Sequence, residues 1–186
     1  WILKSKLSNV EPFIINNKID IESDNEYKIK LDIYKSLGIS TIDCSAKHGD
    51  NLKELIDFLK QKSALFVGNS GAGKSTLSSK LIGKKLKTNS LSKEQGVHTT
   101  SISSLYELQN NTKIIDSPGM RDIEIKNYSK DHIISGFEEI LEASKGCKFT
   151  NCNHINNKGC FVIEGLANGQ INQSRYNNFI KFRDNE

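Results

Sequence analysis

The sequence predicts an α/β fold on a largely parallel sheet, followed by a small helical segment. Three observations carry this expectation. Strand and helix patterns alternate, with no internal repeat, from the start of the chain to about Gly146, as a parallel-type sheet with crossover helices requires. In the middle of that run an apolar strand, a glycine-rich loop and a helix follow one another. After Gly146 the composition turns to Cys, His and Asn. The 186 residues and 20.9 kDa leave room for one full domain and an appendage, so the expected boundaries are 1–145 and 146–186.

Each element has its own justification. Pro12 to Asn16 is a short apolar run ending in Asn-Asn, and Ile29, Ile33 and Leu37 then recur at helical spacing before Gly38. Ile39 to Asp43 repeats the strand pattern. Leu52, Leu55, Ile56 and Leu59 form an i, i+3, i+4, i+7 stripe behind an expected N-cap at Asp50. Both stripes read as core faces. Ala64 to Val67 is a buried strand, and Leu77, Leu81 and Ile82 mark the helix that ends at Gly83. Lys84 to Thr100 is polar and aperiodic, a long loop of the kind that is functional in a compact domain. Ser101 to Leu108 and Lys113 to Asp116 read as strands joined by the polar tetrad 109–112, which places an antiparallel edge on the sheet. Phe161 to Ala167 and Tyr176 to Phe182 close the chain as helices.

Composition narrows the class. Hydrophobic residues at 36% and charged residues at 26% support a packed core. No apolar run exceeds four residues, as at Ala64 to Val67, too short to span a membrane; with no secretory signal read at the start, a cytoplasmic location is expected. The chain begins at Trp1, not Met, and reads as a piece of a longer one. A net charge of +4 and a pI near 8.8 fit either a polyanionic partner or a solvated lysine surface. Lysine outnumbers arginine 23 to 3, which looks like the drift of an A/T-rich genome. Lys80, Lys84, Lys85, Lys87 and Lys93 lie in an acid-free stretch that could follow a phosphate backbone or line a solvated face.

The chemistry sits in four loops. Gly68-Asn69-Ser70-Gly71-Ala72-Gly73-Lys74-Ser75 satisfies G-x-x-x-x-G-K-[ST] and runs on into Thr76. Backbone N–H groups turned inward by the glycines surround phosphate oxygens, Lys74 reaches the β/γ oxygens, and the Ser75 hydroxyl binds Mg²⁺. This specifies a nucleoside triphosphate. Asn17-Lys18-Ile19-Asp20 matches N-K-x-D and follows a strand; the Asp20 carboxylate can accept from the N1–H and 2-amino group of guanine, whereas adenine has no donor there. Ser45-Ala46-Lys47 follows the next strand, where a second base-contacting loop belongs. Asp116-Ser117-Pro118-Gly119 fits D-x-x-G, with Asp116 facing Mg²⁺ through water and the Gly119 N–H facing the γ-phosphate. Thr99 and Thr100 end the long polar loop, placed to close over Mg²⁺ when the γ-phosphate is present.

Cys147, Cys152, His154 and Cys160 offer three thiolates and an imidazole at spacings able to close a tetrahedral zinc site. A disulfide framework would leave one of the three cysteines unpaired. Four ligands leave no open position, so the expected Zn²⁺ is structural. A redox pair is the competing reading.

The order of the loops adds information: base loops come first, then the phosphate loop, then the threonines, then D-x-x-G. Ras-like GTPases begin with the phosphate loop. This order, with Gly96-Val97-His98-Thr99-Thr100, Asp116-Ser117-Pro118-Gly119, the Cys/His cluster, and Asn168-Gly169-Gln170-Ile171 and Arg175-Tyr176 downstream, resembles the RsgA (YjeQ) family of small-ribosomal-subunit-dependent, circularly permuted GTPases. The resemblance covers essentially the whole sequence. It implies a permuted P-loop GTPase fold with a mixed sheet and helices on both faces, then a small helical zinc-binding domain. It further implies GTP and GDP with Mg²⁺ as ligands, late assembly of the 30S subunit as the function, and the subunit with its rRNA as partners; a monomer is expected. Family members carry an N-terminal OB-fold domain that this sequence lacks, and Val97 stands where a polar residue is usual.

Met120 follows D-x-x-G where Ras-like enzymes place a water-orienting glutamine, so slow intrinsic turnover is expected. His98 beside the threonines is the candidate to position water or a proton, with Thr99, Thr100 and Gly119 completing the catalytic set; a loop histidine bound to backbone or RNA is the alternative. His48 and His132 read as surface residues. A nucleotide-gated RNA- or ribosome-binding module with negligible turnover is the rival function.

Overall fold

The structure is a computed structural model describing residues 1–21, 25–83, 104–108, 111–116 and 128–184. Helices α1 (Ile2–Leu7), α2 (Asn25–Ser36), α3 (Leu52–Leu59), α4 (Lys74–Ile82), α5 (Lys130–Ser135), α6 (Glu138–Ser144), α7 (Phe161–Ala167) and α8 (Gln173–Asp184) are joined with strands β1 (Ile14–Asn17), β2 (Thr41–Cys44), β3 (Ser63–Phe66), β4 (Ser104–Glu107) and β5 (Lys113–Asp116). They group into two compact units. One holds Phe13–Leu31 and Ile39–Asp122; the other holds Trp1–Pro12, Asp32–Gly38 and Ile123–Glu186.

In the α/β unit β1 and β2 pair in parallel, Ile14 opposite Thr41 and Asn17 opposite Cys44. A second ladder has the order β3-β5-β4, with β3 and β5 parallel and β4 antiparallel to β5. The antiparallel edge is the one expected from the 109–112 tetrad. The core combines Ile42, Phe66 and Ile114 from strands with Leu52, Leu55 and Leu59 of α3 and Leu77 and Leu81 of α4, while Leu65 of β3 stays 44% exposed. Leu55 and Ile114 are fully buried, each such side chain contributing about 1.5–3 kcal/mol relative to exposure. Thr112 at the foot of β5 is also buried, its hydroxyl donating to the Leu59 carbonyl at 3.0 Å.

Two local expectations are corrected. The stripe Ile29, Ile33 and Leu37 is not a core face along its length: Ile29 is 61% exposed, and the buried residue of α2 is Leu31. Asp50 does not cap α3. Its carbonyl accepts from the Ser45 amide at 3.2 Å, and the cap position falls to Asn51 in the left-handed conformation, φ +56°, with its side chain donating to the Asp43 carbonyl.

The helical unit has its own core of Leu3, Ile133, Phe137, Ile140, Cys160, Val162, Ile171 and Phe179. Helices α5 and α6 therefore pack with α7 and α8, and α1 packs with them. The expected division at residue 145 and this grouping differ in where α5 and α6 fall, since Ile133, Phe137 and Ile140 share a core with Leu3, Val162, Ile171 and Phe179. Phe137 meets Phe179 edge-on at 5.6 Å between centroids. The buried Arg175 forks onto Glu139 at 2.7 and 3.2 Å and lies over the Phe137 ring.

Candidate functional site

Asn17 ends β1 directly opposite Cys44 at the end of β2, so parallel register brings the two following loops together. Its amide then works in two directions. Oδ1 accepts from the Ala46 backbone amide at 2.9 Å, and Nδ2 donates to the Ala72 carbonyl at 3.0 Å. One side chain thus joins the Asn17–Asp20 loop, the Ser45–Lys47 loop and the 68–75 loop.

Asp20 is held from the second loop. The fully buried Ser45 donates its hydroxyl to Asp20 Oδ1 at 2.6 Å, while His48 Nε2 faces Oδ2 at 3.6 Å. The Ser45 hydroxyl bond, and after it a backbone hydrogen bond and the charges of His48 and Lys47, hold the Asp20 carboxyl below the usual carboxylate range against a smaller opposing desolvation. Lys18 is exposed in the left-handed conformation, φ +72°, and its Cε borders Gly73. Lys47 is exposed.

The 68–75 loop joins β3 to α4. Gly73 has φ +90°, and a Cβ on it would overlap Asn17 Nδ2, so both backbone geometry and the Asn17 bridge require glycine. Lys74 Nζ donates to the Gly68 and Asn69 carbonyls at 2.6 and 2.9 Å, folding the ammonium back along the loop. Ser75 and Thr76 are exposed in the first turn of α4, where helix N–H groups lack intrahelical partners. A cradle of turned amides, a cation and free hydroxyls at a helix N-terminus fits a phosphate group with its Mg²⁺. Asp116 ends β5 opposite Phe66, the end of β3, which brings its backbone to the same end of the ladder as the glycine-rich loop. His98, Thr99, Thr100, Gly119 and Met120 lie outside the described residues.

The second site is in the helical unit. The donor atoms of Cys147, Cys152, His154 and Cys160 all lie within 4.8 Å of one another. His154 Nδ1 is 3.7 Å from Cys147 Sγ and 3.6 Å from Cys160 Sγ, and those two sulfurs are 3.9 Å apart. Tetrahedral zinc with ordinary bond lengths needs S···S edges of about 3.8 Å and S···N edges of about 3.6 Å. The set fits Zn²⁺. Burial pushes the Cys160 thiol up to about 11 and, with Arg183 adding to it, lowers His154. Without a cation the thiolate is therefore disfavoured, and the imidazole is held in its neutral, ligating form.

Helix α8 secures this loop from behind. Tyr176 donates its hydroxyl to the His154 carbonyl at 2.7 Å, and the buried Arg183 donates to the Asn153 carbonyl. His154 itself sits at φ +56°. The sequence pattern marks the four donor residues but neither of these two supports, and it reads His48 as a surface residue. His48 is half exposed, yet its ring faces Asp20; the available signal was its adjacency to Ser45-Ala46-Lys47.

A family model described as RsgA GTPase matches residues 1–126. The chain is 34% identical over 185 residues to the small ribosomal subunit biogenesis GTPase RsgA of Actinobacillus succinogenes, covering 96% of this chain and 53% of that protein. It is 33% identical over 187 residues to the protein of the same name from Klebsiella pneumoniae, with the same coverage. The chain spans about half the length of the curated relatives it matches. Among solved structures, YjeQ from Thermotoga maritima matches with a TM-score of 0.78 at 25% identity, over 99% of this chain and 63% of that one. YloQ, described as a circularly permuted GTPase, matches with a TM-score of 0.75 at 22% identity, over 99% and 60%. The fold is that of the circularly permuted GTPases. The chain belongs to the RsgA GTPase family.

Proposed function

We propose that the chain binds GTP and GDP with Mg²⁺, hydrolyses GTP slowly by itself, and acts in the cytoplasm as a monomer on the maturing small ribosomal subunit and its rRNA. The observation that carries this reading is the Asn17 bridge, which couples a carboxylate suited to guanine to a loop suited to phosphates. Asp20 would accept from guanine N1–H and the 2-amino group, with Lys18, Ala46 and Lys47 completing the base site. Amides of the loop Gly68 to Gly73, with Asn69, Ser70, Gly71 and Ala72 between, would surround the phosphates. Lys74 would move from its carbonyl partners to the phosphate oxygens, and Ser75, Thr76 and Asp116 would hold Mg²⁺ and its water. Bound GTP would supply the phosphoanhydride, and Mg²⁺ held by these residues would neutralise charge on the phosphate oxygens.

Hydrolysis needs a positioned water. Thr99, Thr100 and the Gly119 amide are assigned to the γ-phosphate end and His98 to water or proton positioning, because a thioether at Met120 cannot orient water. Cys147, Cys152, His154 and Cys160 would hold Zn²⁺ in a closed structural site. The ribosomal part rests on the printed function of the relatives, small ribosomal subunit biogenesis. Single-turnover hydrolysis of radiolabelled GTP and ATP, with and without 30S particles, tests it. The expected result is slow GTP turnover that 30S particles accelerate, and none with ATP. Stoichiometric GTP binding with no turnover under either condition would establish the binding module instead.

A further inference from the structure

We propose that His48 gates the base site: its protonated imidazole and the 2-amino edge of guanine compete for Asp20 Oδ2. This rests on the guanine reading above. The argument begins with the loop after β2. The Gly49 amide donates to the Ser45 carbonyl at 2.7 Å and the Ser45 amide to the Asp50 carbonyl at 3.2 Å, so residues 45–50 close a tight turn. That turn carries His48 back over Ser45, whose Oγ accepts from the His48 amide at 3.1 Å. With this amide on an oxygen lone pair, the hydroxyl proton points to Asp20 Oδ1 at 2.6 Å. Oδ1 is thereby engaged through the backbone of His48, and among the described side chains it is the His48 ring that faces Oδ2.

Nε2 lies 3.6 Å from Oδ2, an ion-pair separation too long for a hydrogen bond. The His48 side chain is 53% exposed and that of Asp20 only 16%. The ring is therefore free to leave for water, while the carboxylate is tied to the Ser45 hydroxyl. Among the described residues the other charge acting on Asp20 is Lys47. Guanine presents two adjacent donors, N1–H and the 2-amino group, and a two-point bond needs both carboxylate oxygens. Hypoxanthine lacks the 2-amino group and makes the N1–H bond alone. Protonated His48 should therefore penalise guanine more than hypoxanthine.

The signature is a GDP-over-IDP preference that grows as rising pH removes the charge from an imidazole. A half-exposed pair of this kind is worth a change of about 1.5- to 5-fold. The experiment displaces a fluorescent GDP analogue from the full chain with GDP and with IDP between pH 5.5 and 8. Phosphate ionisation is common to both nucleotides and cancels in the ratio. In the wild type the ratio should rise by that factor. In His48→Gln, which keeps the backbone amide on Ser45, it should stay flat. A rise of equal size in His48→Gln, or a flat ratio in the wild type, overturns the gate. Failure of the wild type to bind any purine diphosphate at any pH would instead overturn the guanine reading itself.

Discussion

Gly73→Ala should disable the junction between the base and phosphate loops, and its cost can be worked from the structure. Gly73 sits at φ +90°, in the left-handed half of backbone space that costs an alanine about 1–2 kcal/mol. Its Cβ would overlap Asn17 Nδ2, which donates to the Ala72 carbonyl at 3.0 Å. The amide must swing away, and the lost hydrogen bond adds about 0.5–1.5 kcal/mol. The sum is about 1.5–3.5 kcal/mol. Gly71, at φ +79° with nothing near its Cβ position, is the control and should cost only the backbone part. Native-state hydrogen exchange of the α4 amides reads the stability of the unit that holds the loop. In an Asn17→Ala background the overlap disappears, so Gly73→Ala should there cost no more than Gly71→Ala. Equal cost of Gly73→Ala in both backgrounds would refute the claimed contact.

Four further outcomes are expected. Ser45→Ala should raise the Asp20 titration seen by carboxyl NMR, because the Ser45 hydroxyl is the largest cause of its depression. Since the folded value is the lower one, the stabilisation from Asp20 is present above the unfolded carboxylate range and lost as pH falls through the folded value. Arg175→Ala should destabilise the helical unit by about 3–5 kcal/mol in thermal melts, since it strands a Glu139 side chain that is 13% exposed, whereas Arg175→Met with Glu139→Leu should recover most of it. The purified chain should hold one zinc by elemental analysis. Cys152→Ser or chelation should unfold α7 and α8 by circular dichroism while nucleotide binding persists, since structural zinc is worth ~10–16 kcal/mol against ~5–15 for a whole domain. His98→Ala should lower the 30S-stimulated hydrolysis rate by roughly 10² to 10⁴ and leave GTP affinity nearly unchanged; a parallel fall in affinity would place His98 in the binding loop instead.

What the sequence disclosed was chemistry fixed by local spacing. The glycine-rich loop and the Cys/His cluster need particular residue types at particular separations, so Gly73, Lys74, Cys147 and His154 could be singled out without knowing the fold. The alternation of strands and helices likewise pointed to the parallel pairs, and the polar tetrad 109–112 to the antiparallel edge. Tertiary partners were less legible. Ile29 has the spacing of a core residue, but Leu31 turned to the core. Helices α1, α5 and α6 are six or seven residues long, too short for a periodic pattern to rise above composition. Their burial depends on Phe179 and Val162, far along the chain. The two-sided role of Asn17 and the approach of His48 to Asp20 are products of the β1–β2 register, which no single motif encodes.

The central claim is that Asp20 reads guanine at a site joined to the phosphate loop, and base exchange tests it most directly. Calorimetric titration of the wild type and Asp20→Asn with GDP and XDP measures it. In the variant an amide nitrogen can donate to the C2 oxygen that xanthine carries in place of the guanine amino group. The account predicts that Asp20→Asn loses about 10- to 150-fold in GDP affinity, the worth of a hydrogen bond to a charged group, and gains XDP binding that the wild type lacks. Unchanged GDP affinity in Asp20→Asn would contradict it.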